Sequence, residues 1–361
     1  MKHALNVQLH LLCRSFAVFF FAVLTMNLPG CAPTPGAPKP QGPSSSGTPR
    51  ATDPGVAALQ APAPSRPSPT YDLASLPAAQ PRALDLQGHR GMRAHWPENS
   101  ILGMEEAVAA GVTTLEMDVV IASDGQPLLS HEPWLSPEIC RTPLGQPIAE
   151  GDHSWNLFTM PVEDVAKCDC GAQGHPRFPQ QRPVPTTKPT LAQLFEALRD
   201  RAAADPRFAT VRFNIELKHR PEGDGIHHPD AATFAQAVLA VLDRYGVADR
   251  TTLQSFSAQA LEAVHAARPD LSTAWLVEEE GSTASWLDLL TFTPSILSPD
   301  YAFLSQQDLD EAHARGLKVI PWTVNDATHA EALIRMGVDG LITDDPYLVT
   351  SVLTRQGCTV K

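Results

Sequence analysis

From about Arg82 onward, short apolar runs alternate with amphipathic stretches, and this alternation constrains the fold more than any other feature of the chain. Regular alternation of strand and helix is typical of a parallel sheet whose strands are joined by helical crossovers. The predicted strands lie near residues 83–87, 113–121, 127–131, 211–217, 252–256, 273–277, 295–297, 318–324 and 340–343. The predicted helices cover residues 100–110, 191–203, 231–245, 258–267, 306–315 and 327–336, and several end directly before a glycine, the usual stop signal.

The number of these strands favours a closed sheet. Eight or nine strands in about 275 residues fit an α/β fold of the (β/α)8 type, a TIM barrel over residues 82–356, better than an open doubly wound sheet. The glycine-rich dinucleotide fingerprint of many open sheets is also missing. One strand is surplus and is expected outside the barrel. Residues 133–189 are proline-rich and lack the alternation, which predicts an insertion after strand 3, over the barrel mouth.

The first 31 residues have the pattern of a secretory signal. Lys2 and Arg14 accompany the apolar run 16–24, which is too short to span a bilayer comfortably. Residues 28–31, Leu-Pro-Gly-Cys, resemble the bacterial lipobox, whose cysteine becomes lipidated. The alternative is an ordinary cleaved signal that contains a cysteine. We therefore expect a protein of the bacterial cell envelope with an N-terminal lipid anchor in the membrane, on the periplasmic side of the outer membrane, or a secreted protein.

The composition that follows the signal bears on possible partners. Residues 32–81 repeat proline at short intervals and lack clustered aromatic or branched side chains, so they are expected to form a disordered tether. The formal net charge is −13, the sequence pI is near 5.4, and no sustained basic run occurs. This balance argues against binding to nucleic acid. The sequence implies no protein partner.

Beyond the signal, four cysteines remain, and an oxidising compartment makes disulfides plausible. Cys140 could pair with Cys168 or with Cys170, and either bridge would close part of the proline-rich insertion. Cys358 has no obvious partner. Zinc bound by Cys168 and Cys170 with nearby histidines is the less favoured alternative, because the spacing lacks paired CxxC units.

Three carboxylates are the candidate metal ligands. Glu116 and Asp118 lie two residues apart on a predicted strand, so both side chains project to one face. Two adjacent anions need a counter-charge, and Glu216 occupies a similar position on a later strand. Carboxylate oxygens suit a hard divalent metal, Ca²⁺ or Mg²⁺, better than zinc. The alternative, ordinary carboxylates on an exposed edge strand, is disfavoured by the apolar residues around Glu116.

Two histidines follow predicted strands, where a barrel places its catalytic face. His89 follows the first strand and His131 ends the third. Imidazole titrates near neutral pH, so the pair can supply a base and an acid on either side of a phosphodiester. Arg90 and Lys218 offer cationic donors for the non-bridging oxygens of a phosphate. Salt bridges to the nearby carboxylates are the alternative for both cations.

Other polar and aromatic residues are less informative. Trp322, at the end of a late strand, could contact substrate, and a structural role in the core is about equally consistent with its position. His227 and His228 stand among glycine and proline, so solvated loop residues are the favoured interpretation. The acidic run 278–280 is likewise expected to be solvated.

A series of short motifs, in a characteristic order, covers nearly everything from residue 84 to residue 352. The motifs are His89-Arg90-Gly91, Pro97-Glu98-Asn99-Ser100, Glu116-Met117-Asp118-Val119, Ser123-Asp124-Gly125, His131-Glu132, Glu216-Leu217-Lys218, Ser255-Phe256, Trp322-Thr323-Val324-Asn325 and Gly337 to Pro346. Together they resemble the glycerophosphodiester phosphodiesterase family.

The resemblance implies a TIM barrel, acid and base catalysis by His89 and His131, and a divalent metal held by Glu116, Asp118 and Glu216. The implied reaction is hydrolysis of glycerophosphodiesters, such as glycerophosphocholine, to glycerol 3-phosphate and an alcohol. Two alternatives remain: a phospholipase-type enzyme acting on intact phospholipid, and a non-catalytic envelope lipoprotein that binds glycerophosphate compounds. The chain departs from the family pattern at Glu132, where an aspartate is usual, which puts in doubt only a contact behind the histidine.

Overall fold

The computed structural model describes residues 69–361. The predicted signal, 1–31, lies outside the described residues, as does most of the predicted tether. The strands are β1 (Ala83–Gly88), β2 (Thr114–Ile121), β3 (Pro127–Leu129), β4 (Arg212–Leu217), β5 (Thr251–Ser255), β6 (Ser272–Val277), β7 (Ile296–Pro299), β8 (Lys318–Val319), β9 (Gly340–Thr343) and β10 (Thr359–Val360).

Helices follow most strands. They are α1 (Ile101–Ala109), α2 (Val162–Val165), α3 (Leu191–Ala202), α4 (Arg207–Thr210), α5 (Ala231–Tyr245), α6 (Ala258–Ala267), α7 (Thr283–Leu287), α8 (Gln306–Ala314), α9 (Ala327–Met336) and α10 (Pro346–Arg355). Short 3-10 helices lie at Leu157–Thr159, Pro221–Gly223, Ala248–Arg250 and Tyr301–Phe303. No helix in this part of the chain has the length and apolar character needed to cross a membrane.

Eight parallel strands form the barrel, as the alternation predicts. Their order is β1, β2, β4, β5, β6, β7, β8 and β9, and β9 pairs with β1 through Leu86 and Leu341. Backbone hydrogen bonds link the chain around β8 to β9, because Asp339 N donates to Val319 O at 2.9 Å and Ile342 N donates to Pro321 O at 3.1 Å. The TIM barrel prediction is confirmed.

The surplus strand is β3, and it lies outside the ring. It pairs antiparallel with β2, with Val119 opposite Leu129 and Ile121 opposite Pro127. The prediction that His131 ends a barrel strand is therefore wrong, because a short connection folds the chain back along β2 instead of crossing over a helix. A second extra strand, β10, pairs parallel with the start of β1 and was not predicted, since two residues carry no periodic signal.

The side chains of β2 alternate between two environments. Leu115, Met117 and Val119 are fully buried in the main apolar core, which also includes residues of the surrounding helices. Glu116 and Asp118 lie on the opposite face and are also buried. A fully buried strand with this alternation places polar groups inside the barrel, where they need partners or a cation.

The insertion has a small core of its own. It joins Val120 and Leu128 of the β2–β3 hairpin to Leu135, Leu157 and other apolar side chains of the insertion. A disulfide between Cys140 and Cys170 closes this segment, which selects one of the two predicted pairings.

The two remaining cysteines of the described region, Cys168 and Cys358, are free and buried. Zinc at Cys168 and Cys170 is not supported, because the Cys170 sulfur is bound in the disulfide.

Residues 69–81 pack against the barrel. Tyr71 Oη donates to Tyr301 O at 3.3 Å, and Arg335 Nη1 donates to Leu73 O at 2.9 Å. Leu76 also contacts the main core, and burial raises the pKa of Tyr71 to about 12. Residues 69–81, which were expected to belong to the tether, therefore have contacts with the barrel.

Candidate active site

Glu116, Asp118 and Glu216 meet inside the barrel. Asp118 lies opposite Glu216 in the pairing of β2 with β4. One ligand atom from each of the three carboxylates lies within 4.8 Å of the others, and all three side chains are buried. The strand register therefore assembles the predicted metal ligands.

The chemistry of this cluster fits a divalent cation. Burial, and then the charge of Asp118, raise the pKa of Glu116 well above its usual range, and burial raises the pKa of Glu216 to about 7. Asp118 Oδ1 is buried and has no hydrogen-bond partner among the described residues. Three carboxylates this close need a counter-charge to be ionised together, and an all-oxygen set suits Ca²⁺ or Mg²⁺.

The charges of the cluster and of the side chains around it also favour a divalent cation. Six buried or partly buried carboxylates, three of them the cluster itself, lie here with four cationic side chains, so the fully ionised set has an excess of two negative charges. The carboxylates are Glu98, Glu116, Asp118, Glu132, Glu216 and Asp344, and the cations are Arg90, Arg93, Lys188 and Lys218. One divalent cation would neutralise this excess.

His89 stands at the end of β1 in a tight turn. Gly91 N donates back to Gly88 O at 3.1 Å, and a Cβ on Gly88 would lie 2.0 Å from Gly91 O, so only glycine fits there. His89 Nδ1 donates to Asp344 Oδ1 at 2.7 Å, and its Nε2 lies 3.9 Å from Glu116 Oε2. This arrangement leaves Nε2 facing the carboxylate cluster.

His89 is neutral near physiological pH. Burial lowers its pKa to about 4, and the Arg93 guanidinium acts in the same direction, while Asp344 opposes both. Asp344 also accepts from Arg93 Nε and Asn325 Nδ2, each at 2.6 Å. The carboxylate is therefore held in one position against the imidazole.

His131 has a carboxylate partner of the same kind. Its Nδ1 lies 2.7 Å from Glu132 Oε1, and about a third of its side chain is exposed. Burial and the charges of Arg90 and Lys218 lower its pKa. Although burial opposes it, the charges of His131, Arg90 and Lys188 hold the pKa of Glu132 below its usual range. The departure at Glu132 thus keeps an ionised partner for the histidine.

Arg90 is held at the centre of the carboxylates. Its Nη1 donates to Glu98 Oε1 at 2.9 Å, its Nε lies 3.2 Å from Asp118 Oδ2, and its backbone N–H donates to Glu116 Oε2 at 2.8 Å. Its φ is 52°, in the left-handed region that a residue with a side chain rarely adopts. Backbone strain of this kind persists where surrounding contacts over-determine it, and it clusters at functional sites.

Lys218 follows β4 and pairs with carboxylates, as the alternative interpretation anticipated. Its Nζ lies 2.8 Å from Glu216 Oε1 and 3.8 Å from Asp118 Oδ1. Both predicted phosphate ligands, Arg90 and Lys218, therefore lie beside the predicted metal ligands, and their part in binding phosphate stays a prediction.

Trp322 has mainly apolar neighbours. It packs against an apolar cluster that includes Ile296, Ile320 and Ile342, and its Nε1 donates to Ser298 O at 2.9 Å. The side chain is nonetheless partly exposed. The structure thus shows its core contacts and leaves its contact with substrate a prediction.

His227 and His228 are both buried, so their prediction as solvated loop residues is wrong. His228 belongs to a cluster with His219 and Asp224 whose ligand atoms could surround a metal. Each imidazole nitrogen of this cluster already has a partner. His219 Nδ1 faces Ser257 Oγ at 2.8 Å and its Nε2 faces Asp224 at 3.0 Å.

The remaining contacts of His228 determine which of its imidazole nitrogens carries the proton. Its Nδ1 donates to Pro229 O at 2.9 Å, and its Nε2 accepts from Arg220 N at 3.2 Å. Binding a metal through Nδ1 would move the proton to Nε2, against the backbone donor. The cluster therefore fits a hydrogen-bonded loop support better than a metal site.

Several residues of the site carried no role in the sequence analysis. Asp344, Glu98 and Asn99 stand in recognised motifs, which was a usable signal. Asn99 Nδ2, for example, donates to Asp118 Oδ2 at 2.9 Å. Lys188 lies after a proline-rich stretch and gave no signal, because its proximity to Glu132 depends on the path of the insertion.

Comparison with known proteins identifies related enzymes. Residues 89–348 match the model of the glycerophosphoryl diester phosphodiesterase family. The chain is similar to a glycerophosphodiester phosphodiesterase from Caldanaerobacter subterraneus, 26% identical over 269 residues, or 74% of this chain and 97% of that protein. Another of that name, from Bacillus subtilis, is 26% identical over 73% of this chain and 84% of its own length.

Solved structures share the fold. A protein from Silicibacter pomeroyi, assigned to the glycerophosphoryl diester phosphodiesterases, is 27% identical with a TM-score of 0.69 and covers 79% of this chain and 97% of its own. A phosphodiesterase from Oleispira antarctica, solved with sn-glycerol-3-phosphate as product, is 23% identical with a TM-score of 0.60, covering 78% and 98% of the two chains. The chain therefore belongs to this enzyme family, the glycerophosphoryl diester phosphodiesterases.

Proposed function

We propose that this enzyme hydrolyses glycerophosphodiesters to glycerol 3-phosphate and an alcohol, with a divalent cation and with histidine acid and base catalysis. The observation that carries the proposal is the arrangement around Glu116, with His89 Nε2 at 3.9 Å from its carboxylate and Arg90 bonded to the same group. The names of the curated relatives support the substrate class.

The two histidines supply the proton transfers. One imidazole accepts the proton of the attacking hydroxyl as the new P–O bond forms, and the other donates a proton to the alcohol oxygen as the old P–O bond breaks. Asp344 and Glu132 accept from Nδ1–H of His89 and His131, so each imidazole presents Nε2 to the substrate. Nε2 is unprotonated in the histidine that acts as the base and protonated in the one that acts as the acid.

Arg90 and Lys218 bind the non-bridging oxygens of the phosphate. Glu116, Asp118 and Glu216 would hold the cation, which when bound would offset negative charge on those oxygens. The nucleophile is water, which gives glycerol 3-phosphate directly, or the glycerol 2-hydroxyl of the substrate. In the second case a cyclic phosphate forms as the alcohol leaves, and water then attacks the phosphorus and breaks the bond to the 2-oxygen, which gives glycerol 3-phosphate.

The test measures glycerol 3-phosphate released from glycerophosphocholine, before and after dialysis against EDTA and after return of Mg²⁺ or Ca²⁺. We expect activity to be lost on chelation and restored by the metal. Full activity in EDTA would remove the metal from the proposal. His89→Ala and His131→Ala should each lower kcat by at least about 100-fold, and a variant with the wild-type rate would overturn that assignment.

The same assay separates the alternatives. Phosphatidylcholine and glycerophosphocholine, compared at equal concentration, distinguish a phospholipase from an enzyme of deacylated substrates. Tight binding of glycerophosphocholine without turnover would instead favour a binding protein.

We further propose that the protein is anchored in the bacterial envelope through Cys31, a residue outside the described part of the chain. The run that ends in Leu-Pro-Gly-Cys supports this proposal. In cells fed labelled palmitate, the wild-type protein should take up label and sediment with membranes, whereas Cys31→Ser should not. An unlabelled wild-type protein would leave a cleaved signal as the better interpretation.

A further inference from the structure

A continuous path of hydrogen bonds inside the barrel joins Asp85, near the start of β1, to Glu116. Three amide side chains form the path, Gln87, Asn214 and Gln254, and we call them the amide chain. Gln87 Nε2 donates to Asp85 Oδ2 at 3.0 Å, and Asn214 Nδ2 donates to Gln87 Oε1 at 2.8 Å and to Gln254 Oε1 at 2.9 Å. Gln254 Nε2 then donates to Glu116 Oε1 at 2.9 Å, and the three amide side chains are each 2% exposed.

The carboxylates at the two ends determine how every amide is turned. With the cation bound, Glu116 is an ionised carboxylate and only accepts hydrogen bonds, and at the other end Asp85 accepts from Gln87. Gln87 and Gln254 must therefore point their NH₂ groups outward and their carbonyl oxygens toward the middle. Asn214 must then donate in both directions from one nitrogen. Its own Oδ1 is buried without a hydrogen-bond partner among residues 69–361, which costs stability.

The far end of the path is held firmly. Asp85 Oδ1 accepts from Thr114 Oγ1 at 2.6 Å and from Arg212 Nη2 at 2.8 Å. Its negative charge therefore stays in place and keeps Gln87 turned toward it.

At the near end, both oxygens of Glu116 are occupied by N–H donors. Gln254 donates to Oε1, and the backbone N–H of Arg90 donates to Oε2. Each oxygen keeps a lone pair for a cation, and the two hydrogen bonds hold the carboxylate in one orientation. Partners behind a metal ligand act in this way, by fixing its orientation and favouring its ionised form.

We propose that the amide chain, anchored by Asp85, orients Glu116 for the divalent cation, with Gln254 as the positioning residue in contact with it. The inference rests on the proposed metal site and goes beyond it, because it assigns a role in metal affinity to residues that touch neither metal nor substrate. The direction of the three amides is set jointly by the carboxylates at the two ends of the path.

The test measures binding of Mg²⁺ and Ca²⁺ to the metal-free protein by isothermal titration calorimetry. Gln254→Met keeps the length of the side chain and removes the donor to Glu116. We expect its metal affinity to fall by about 10- to 100-fold. Thr252→Val is the matched control on the same strand, because Thr252 bonds to Ser272 Oγ and not to the amide chain. The control should bind metal like the wild type.

A second variant tests action at a distance. In Asp85→Asn the new NH₂ group can donate to Gln87, so the amide of Gln87 can flip. The NH₂ group of Gln87 then faces the NH₂ group of Asn214, and the path of hydrogen bonds is broken. We expect a smaller loss of affinity in the same direction. Thr113→Val is its control, since Thr113 Oγ1 bonds to Asp85 at 3.2 Å without belonging to the path.

The outcomes separate this inference from the proposed metal site. A wild-type protein that binds neither cation would overturn both. A folded Gln254→Met with wild-type affinity would overturn only the role of the amide chain. If Gln254→Met does not fold, Asp85→Asn decides, and unchanged affinity in that variant overturns the inference.

Discussion

Asp344 controls both the orientation and the basicity of His89, and this gives the most direct prediction for a single residue. We predict that Asp344→Asn lowers kcat by about 100-fold or more, because the imidazole loses its charged partner. The charge of Asp344 raises the pKa of His89 against burial, so its removal should lower that pKa further. The limb of the kcat/KM profile that His89 controls should then move to lower pH, and an NMR titration of the imidazole measures the shift directly.

Asp345→Asn is the control for this change. Asp345 caps α10 through Leu348 N and has no contact with His89. It should keep the wild-type pH profile. A rise in the pKa of His89 on replacing Asp344 would contradict the expected sign.

Glu132 provides a second residue-level prediction, because the family usually has aspartate there. Glu132 pairs with His131 at 2.7 Å, and its ionised form is favoured by His131, Arg90 and Lys188. Glu132→Gln removes a charge that raises the pKa of His131, so that pKa should fall and kcat should decrease by about 10-fold or more. Glu132→Asp keeps the charge and should retain most of the activity. Equal activity in both variants, measured across pH, would show that the charge is unimportant.

The charged residues of the site could be predicted from the sequence for two reasons. Some follow directly after predicted strands, and others alternate with apolar residues along a strand, with a period of two residues. Glu116, Asp118 and Glu216 are brought together by register alone. Gln254 could not be assigned a role in the same way, since its contact with Glu116 depends on neighbours from two further strands.

Among the elements, β3 and the insertion differ most from the sequence prediction. Both follow from one short connection, which turns the chain back along β2. Residues 133–189 then form a small core with the β2–β3 hairpin instead of a helical crossover. Proline-rich composition predicts an insertion but not its internal contacts. Its path matters to the site, since Leu129 N bonds to Pro189 O at 2.9 Å and so fixes the chain beside His131.

The disulfide between Cys140 and Cys170 should stabilise this insertion. The cysteines are 30 residues apart, and closing a loop of that length is worth about 3 to 4 kcal/mol in the chain-entropy model. We predict that the double variant Cys140→Ser with Cys170→Ser exchanges amide hydrogen faster throughout residues 133–189, while the barrel strands keep their protection. Activity should fall, because Lys188 lies at the end of this segment.

Cys168→Ser is the control for the missing bridge, because Cys168 is a buried free thiol in the same segment. It should leave exchange in the insertion close to that of the wild type. Equal exchange in the double variant and the wild type would show that the small core around Leu135 and Leu157 is sufficient without the bridge.

At the scale of the whole molecule, the barrel was the most predictable feature. Helices such as Ala231–Tyr245 and Ala327–Met336 have the predicted bounds, because an aspartate caps each start and glycine follows each end. Closure was predictable from the strand count. The contacts of residues 69–81 with the barrel could not be predicted, because a proline-rich composition does not show which few apolar side chains pack against it.

These N-terminal contacts give the last prediction. Tyr71, Leu76 and the backbone carbonyl of Leu73 meet the barrel around Tyr301 and the helix Ala327–Met336. A chain that begins at residue 82 loses this apolar burial and at least three hydrogen bonds, the third from His329 Nε2 to Pro69 O at 3.0 Å, together about 2 to 3 kcal/mol. Its Tm should fall by roughly 5 to 10 °C relative to a chain that begins at residue 69.

Residues 69–81 include none of the predicted catalytic, metal-binding or phosphate-binding residues, so the two chains should have equal kcat at low temperature. Calorimetry and the glycerol 3-phosphate assay on both chains test these expectations together. An unchanged Tm would mean that residues 69–81 add no stability and that the composition alone described them correctly. A lower kcat with an unchanged KM would instead show that they act on the site through the barrel.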